Sequence, residues 1–272
     1  MVLLMVIKLL KLGEIMSDKK FSFRKELEEN SKKYNEVQKL LDRKYRSGNY
    51  GIYVKSLKSG ASAGVFQDTR YTAASTGKLP AIYYTQKRYN NKSLNPNTQF
   101  LYTDAINQMN ESYGRGGAGI LQNKPFGGMY SIDTILNWTI YYSDNQGANF
   151  LGYYAANKYS REMKQEISQI IGRQWDSPFS ITAKENGKLM EAIYKQGGNA
   201  NKYLQNTSFD NQRIPKYLPV NVGHKIGDVF DYRHDVAIVY AKEPYILSVM
   251  TKNYQSYESI SQLSLEIYNI LK

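Results

Sequence analysis

A serine three residues ahead of a lysine, Ser75 and Lys78 in YTAASTGKLP, is the pair in this sequence with the most direct chemical use. A serine hydroxyl attacks a carbonyl carbon only when a base takes its proton. On a helix, positions i and i+3 share a face, so Lys78 would reach the Ser75 oxygen. Lysine serves as a base near neutral pH only when burial or a nearby cation lowers its pKa. The apolar LPAIYY run and a later lysine, Lys225, are candidates for those two effects. If Ser75 opens the helix, the helix N-terminus also favours an oxyanion. The spacing by itself is weak evidence, because S-x-x-K arises by chance in many chains.

Three other groupings have chemical potential. YYSDNQGANFL holds Ser143, Asp144 and Asn145, and VGHKIGD holds Lys225, Ile226 and Gly227. GRGGAG at 114–119 matches G-x-G-x-x-G. That fingerprint needs a strand before it and a helix after it, and NQMNES and ILQNKPFGG provide neither, so it reads as a flexible loop. His224 and His234, the two histidines of the chain, have Asp228, Asp231 and Asp235 nearby. Their spacing is not that of a typical metal site, and no G-x-S-x-G elbow supports a serine–histidine–aspartate triad. Both histidines read as surface or hydrogen-bonded groups.

S-x-x-K, S-D-N and a K-x-G close to K-T-G occur here in that order, a set associated with class A β-lactamases and penicillin-binding proteins. The flanks extend the match. TRYTAASTGKLP is similar to the family's approach to its nucleophile, GAGILQ…GGMYSIDTILNWTIYYSDNQGANFL to the run into its second motif, and RIPKYLPVNVGHKIGDVFDYRHDVAIVY to the run through its third. Over about residues 45–272 the chain resembles the serine β-lactamase and penicillin-binding superfamily, on the class A side. The resemblance implies an acyl-enzyme on Ser75, with Lys78 as base, Ser143 relaying a proton to the leaving nitrogen, and Lys225 attracting a substrate carboxylate. It implies that Asn145 bonds the substrate amide and that the N–H groups of Ser75 and Asp228, beside Gly227, form the oxyanion hole. Arg233 matches a carboxylate-binding arginine of many relatives, with a solvated strand charge as the other reading. No metal or organic cofactor is implied.

Two departures qualify the resemblance. The family's deacylating glutamate lies in an E-x-x-L-N loop between the second and third motifs. Here the helical YSREMKQEISQIIG runs almost directly into RQWDSPFSITAKE, and Glu166 reads as an exposed helical charge. Deacylation is then expected to be slow. Ile226 replaces the hydroxyl residue of K-T-G, so recognition of a carboxylate is expected to weaken.

The positioning elements follow from periodicity. Phe23, Leu27, Tyr34, Val37 and Leu41 recur at helical spacing within 20–46. YGIYVKSL and SAGVFQ flank KSGA as a hairpin, and Thr182 with Glu185 forms a capping box ahead of NGKLMEAIYKQ. Three β-rich runs, NVGHKIG, DVAIVYA and YILSVMT, precede a closing helix with Ile260, Leu263, Ile267 and Ile270 on one face. Strands at both chain ends around a helical middle predict an α/β (α+β sandwich) fold: a five-stranded antiparallel sheet flanked by N- and C-terminal helices plus an all-helical subdomain. The catalytic domain is expected over 19–272, with the α/β part at about 19–70 and 205–272 and the helical part at about 71–204. Residues 1–18 read as a remnant signal or anchor, or as sequence upstream of a start at Met16; Lys8 and Lys11 interrupt their apolar run.

Composition narrows the classes. At 272 residues and 42% hydrophobic content the chain can bury a substantial core, and with no cysteine it has neither disulfides nor a thiolate nucleophile. The 36 Lys and Arg, giving a net charge of +12, are spread along the chain without a dense basic block. That argues against nucleic acid and suits an anionic cell-envelope surface. The expected substrate is a small-molecule β-lactam or a peptidoglycan-like amide, handled by a monomer outside the cytoplasm. A D,D-peptidase or amidase, an esterase, and a non-turnover module binding wall fragments or β-lactams stand as alternatives.

Overall fold

The structure is a computed structural model describing residues 24–272. The reading of residues 1–18 lies outside the described residues, as does Phe23. Helix α1 spans 24–44. Tyr34, Val37 and Leu41 are buried, but Leu27 is exposed, because the first turns of α1 lack the cover that the rest of the helix finds on the sheet.

The central sheet takes β1 (Tyr50–Ser56) and β2 (Ser62–Val65) from the start of the chain and β7 (Val222–Val229), β8 (Tyr232–Val239) and β9 (Tyr245–Thr251) from its end. The order is β2-β1-β9-β8-β7, and every pairing is antiparallel. The predicted hairpin forms with Ile52 opposite Val65, and Gly60 at φ +77° supplies the left-handed residue its turn needs. β7, carrying Lys225, is an edge strand.

The strand alternation sorts side chains onto two faces. Ile52, Val54, Ala237, Val239, Leu247 and Val249 face α1 and the closing helix α8 (Tyr257–Leu271). On α8 the buried row is Ile260, Leu263, Ile267 and Leu271; Ile270 is only partly covered. The sequence pattern puts Ile270 on this face, but the step of four from Ile267 keeps Leu271 over the sheet instead. Each such aliphatic side chain contributes roughly 1.5–3 kcal/mol on burial.

Tyr53, Val236, Ile238, Ile246 and Met250 on the opposite face share one core with the middle of the chain. That middle holds α2 (Leu79–Asn90), α3 (Ile132–Tyr141), α4 (Asn145–Phe150), α5 (Arg161–Ile171), α6 (Ala183–Gln196) and α7 (Gly198–Tyr203). Two small ribbons tie it together, β3 (Arg70–Thr72) with β6 (Ser180–Thr182) and β4 (Gln99–Leu101) with β5 (Met129–Ser131). The Thr182–Glu185 capping box opens α6 as the sequence predicts. α6 lies directly on the sheet, with Leu189, Met190 and Ile193 fully buried.

Candidate active site

Ser75 lies in a 3-10 turn, Ala74–Lys78, that runs into α2. The tighter turn brings residues i and i+3 into eclipse, and Lys78 Nζ donates to Ser75 Oγ at 2.8 Å. The turn is wedged between two backbones. A Cβ on Gly77 would sit 2.1 Å from the Pro178 carbonyl oxygen, and one on Gly227 would sit 3.1 Å from Ala73 O and Thr76 N. Only glycine fits at 77.

Ser143 faces this turn from the stretch between α3 and α4. It is a fully buried non-glycine residue at φ +55°, a conformation that persists only when its surroundings enforce it. The enforcement comes from Asp144. Its carboxylate caps α4 through Gly147 N–H (2.8 Å) and accepts from Ile120 N–H (2.7 Å) and Leu121 N–H (2.8 Å). Ser143 then presents its carbonyl to Lys78 Nζ at 2.5 Å and its hydroxyl to Lys225 Nζ at 2.6 Å. The Lys78 ammonium nitrogen is also 3.4 Å from that hydroxyl.

Asn145 completes the cluster, with one bond at each end of its side-chain amide. Oδ1 accepts from Lys78 at 2.7 Å and Nδ2 donates to Gly116 O at 3.1 Å. The glycine-rich 114–119 segment, read from sequence as a flexible loop, is thus a wall of the site. Its Gly116, Gly117 and Gly119 have positive φ, and a Cβ at Gly119 would collide with Asp144 at 2.2 Å.

Both lysines are buried, and burial is the main reason each is easily deprotonated. Burial pushes Lys78 well below the ordinary lysine range; the Lys225 charge adds to the effect and Asp144 opposes it. Burial likewise pushes Lys225 down to about 7, with Arg213 adding to it and Asp235 and Asp228 opposing. Neither lysine has a carboxylate within salt-bridge distance among the described residues. A lysine whose proton is held loosely, beside a serine hydroxyl, has the geometry that a general base requires.

The remaining predicted residues are placed differently. Gly227 lies against the nucleophile turn. Asp228, next along β7, accepts from Arg213 Nη2 and from Tyr257 Oη at 3.0 Å. Arg233 is opposite Asp228 in the β7–β8 register. Its guanidinium donates to the Phe230 (2.8 Å) and Tyr232 (2.7 Å) carbonyls of the hairpin turn and does not reach Ser75, Ser143 or Lys225. Glu166, read as an exposed charge, is half-buried on α5, paired with Lys87 and accepting from Tyr83 Oη at 2.7 Å. Its partners sit on α2, a constraint that α5 taken alone does not reveal.

Sequence reasoning missed three residues. Tyr113 lies under Lys78, with Nζ 4.9 Å from the ring centroid, and stacks edge-on with Phe179 at 5.3 Å. Pro178 and Phe179 come from the α5–β6 connection, and Pro178 meets Gly77 beside the Tyr113 hydroxyl. No carboxylate lies within hydrogen-bond reach of Ser75 or Lys78 among the described residues. The third is Arg213, buried with Nε and Nη1 unpartnered among the described residues. Nothing in its sequence neighbourhood marks it.

The histidines serve the scaffold. His224 donates to Asp235 at 2.9 Å and to Asp210 at 3.1 Å; burial disfavours its charge, but the two carboxylates outweigh burial and raise it to about 9. His234 donates to Thr72 O at 2.8 Å and accepts from Thr251 N–H at 3.0 Å, and burial holds it down at about 4.

The profile of the β-lactamase enzyme family matches residues 32–271. No curated protein matches the chain. Among solved structures, a point mutant of PBP-A as an acyl-enzyme complex with penicillin G superposes with a TM-score of 0.71 at 20% identity, covering 88% of this chain and 95% of that one. A β-lactamase from Sphaerobacter thermophilus gives a TM-score of 0.67 at 17% identity, covering 85% and 92%. The TLA-1 extended-spectrum β-lactamase gives 0.70 at 16% identity, covering 88% and 99%. The fold is that of these proteins.

Two outcomes follow from this geometry. Gly77→Ala should displace the Ala74–Lys78 turn from Pro178, and because an ångström of misplacement costs on the order of 100-fold, hydrolase activity that depends on this turn should fall by about that factor while the protein stays folded by circular dichroism. The His224 ion pair stabilises the fold fully below the unfolded histidine value near 6.5 and is lost as pH rises through about 9. Lys225, depressed to about 7, acts with the opposite sign above that pH. The stability difference between wild type and His224→Gln isolates the histidine, and in chemical denaturation it should shrink from pH 6.5 to 9.5.

Proposed function

Because this chain belongs to the β-lactamase enzyme family and is a serine hydrolase of that type, we propose that it forms an acyl-enzyme on Ser75 with β-lactams or related amides and releases it slowly. The observation that carries the reading is Lys78 at 2.8 Å from Ser75 Oγ, buried and pushed toward its neutral form.

In the first step neutral Lys78 takes the Ser75 proton as Oγ bonds to the substrate carbonyl carbon. The oxygen that gains charge is received by the Ser75 and Asp228 N–H groups, a device worth about 3–4 kcal/mol per donor. As the tetrahedral centre collapses, the C–N bond breaks and the nitrogen takes the Ser143 proton. Ser143 recovers a proton from the lysines bonded to it, Lys225 at 2.6 Å and Lys78 at 3.4 Å. Release of the acyl group then requires an activated water. With Glu166 committed to Lys87 and Tyr83, and Tyr113 and Phe179 beside the site, water activation falls to Lys78.

The same reading puts the protein outside the cytoplasm, where cell-wall amides lie and where a net charge of +12 meets anionic envelope polymers. An esterase reading draws on Ile226 standing where a hydroxyl would help hold a carboxylate. Intact-protein mass after mixing with a penicillin should show one long-lived adduct on the wild type and none on Ser75→Ala. Rapid loss of the adduct with hydrolysed product would refute slow release. Absence of any adduct would refute acylation by this substrate class.

A further inference from the structure

Asp228 occupies a position where its charge matters. It follows Gly227, whose missing side chain lets β7 press against Ala73 and Thr76 beside the nucleophile. Its carboxylate is gripped by Arg213 Nη2 and by Tyr257 Oη at 3.0 Å, with Arg233 Nε at 3.8 Å. Arg213 is 1% exposed, packs its guanidinium 3.9 Å from the Tyr257 ring centroid, and has two further nitrogens without partners among the described residues. Its charge is felt at Lys225. Arg213 and Arg233 thus meet on the α8 side of the edge strand β7, whose other side carries Lys225, a seat built for an anion, and one carboxylate of the chain already sits in it.

We propose that Asp228 is a specificity-determining residue: its side chain fills the anion seat of Arg213, Tyr257 and Arg233, so that the cleft accepts acyl donors that are uncharged at this end and turns away those that must place a carboxylate there. The proposal rests on the acyl-enzyme reading of Ser75. Three features converge on it. Asp228 spends the arginine charge that would otherwise attract an incoming anion. Its own charge opposes such an anion directly, and like charges brought together at a binding surface are a strong means of rejection. Ile226, two residues earlier on the same side of β7, has an alkyl side chain in place of a hydroxyl. The preferred substrates are then neutral esters, thioesters or lactams, or amides without an acid beside the scissile bond. Tyr257 links the device to the first turn of α8, so the seat is held from the scaffold as well as from the hairpin.

The test compares penicillin G with its methyl ester, which differ in this charge, by the rate of Ser75 adduct formation in intact-protein mass. In wild type the ester should acylate faster, by roughly tenfold, and Asp228→Asn should raise the acid-to-ester rate ratio by about as much. General damage to the site would move both rates together and leave the ratio unchanged. Equal ratios in wild type and Asp228→Asn, or a wild-type preference for the acid, overturn the proposal. Failure of the acyl-enzyme reading shows separately, as no adduct from either probe. In that event non-covalent binding of the same two compounds to Ser75→Ala, followed by NMR, decides: tighter binding of the acid with Asp228→Asn supports the proposal, and unchanged binding overturns it.

Discussion

Two buried lysine side chains meet at one serine, and among the described residues neither has a carboxylate bound to it. Lys225 donates to the Ser143 hydroxyl, while Lys78 is held by the Ser143 carbonyl, the Asn145 amide oxygen and the Ser75 hydroxyl. Burying an ammonium group without a counter-ion is costly, and the usual escape is loss of the proton. The arrangement therefore converts packing energy into a base. Every element around it serves to keep the two amines together and dry: the sheet edge that carries Lys225, the 3-10 turn that carries Lys78, and the strained Ser143 between them.

Asp144 links this site to the scaffold. Its three backbone hydrogen bonds cap α4, fix the 118–121 stretch and hold Ser143 at positive φ. It therefore acts as a structural anchor whose charge reaches Lys78 only as a modest opposing influence. On the other face of β7, the His224–Asp235–Asp210 cluster performs a comparable service, holding the strand against the loop that precedes it. Charges are kept apart by the pleat. Those that stabilise the strand lie behind it, and those available for chemistry lie in front.

Much of this was legible from residue order. The i, i+3 spacing of Ser75 and Lys78, the hairpin, the Thr182 capping box and the three late strands are local signals, and each corresponds to an element of the structure. What the sequence hid depends on contacts between distant segments. The 114–119 glycines look like slack chain until Asp144 and Asn145 are seen to grip them. Tyr113 and Phe179 are 66 residues apart and meet only because α5 returns the chain to the site. Glu166 looks solvated along its own helix, but α2 supplies Lys87 and Tyr83. Ile270 and Leu271 differ by one step around a helix, too fine a distinction for periodicity to settle at a terminus.

The account stands on Lys78 being neutral at the pH where Ser75 is acylated. Selective labelling of the lysine side chains, with the Lys78 signal assigned by its loss in Lys78→Arg, allows its titration to be followed directly by NMR in the free protein. The account predicts a midpoint well below the ordinary lysine value of 10.5, moving upward when Lys225 is replaced by methionine, because the neighbouring charge is one of the forces holding it down. A Lys78 that keeps its proton up to the ordinary range would contradict it.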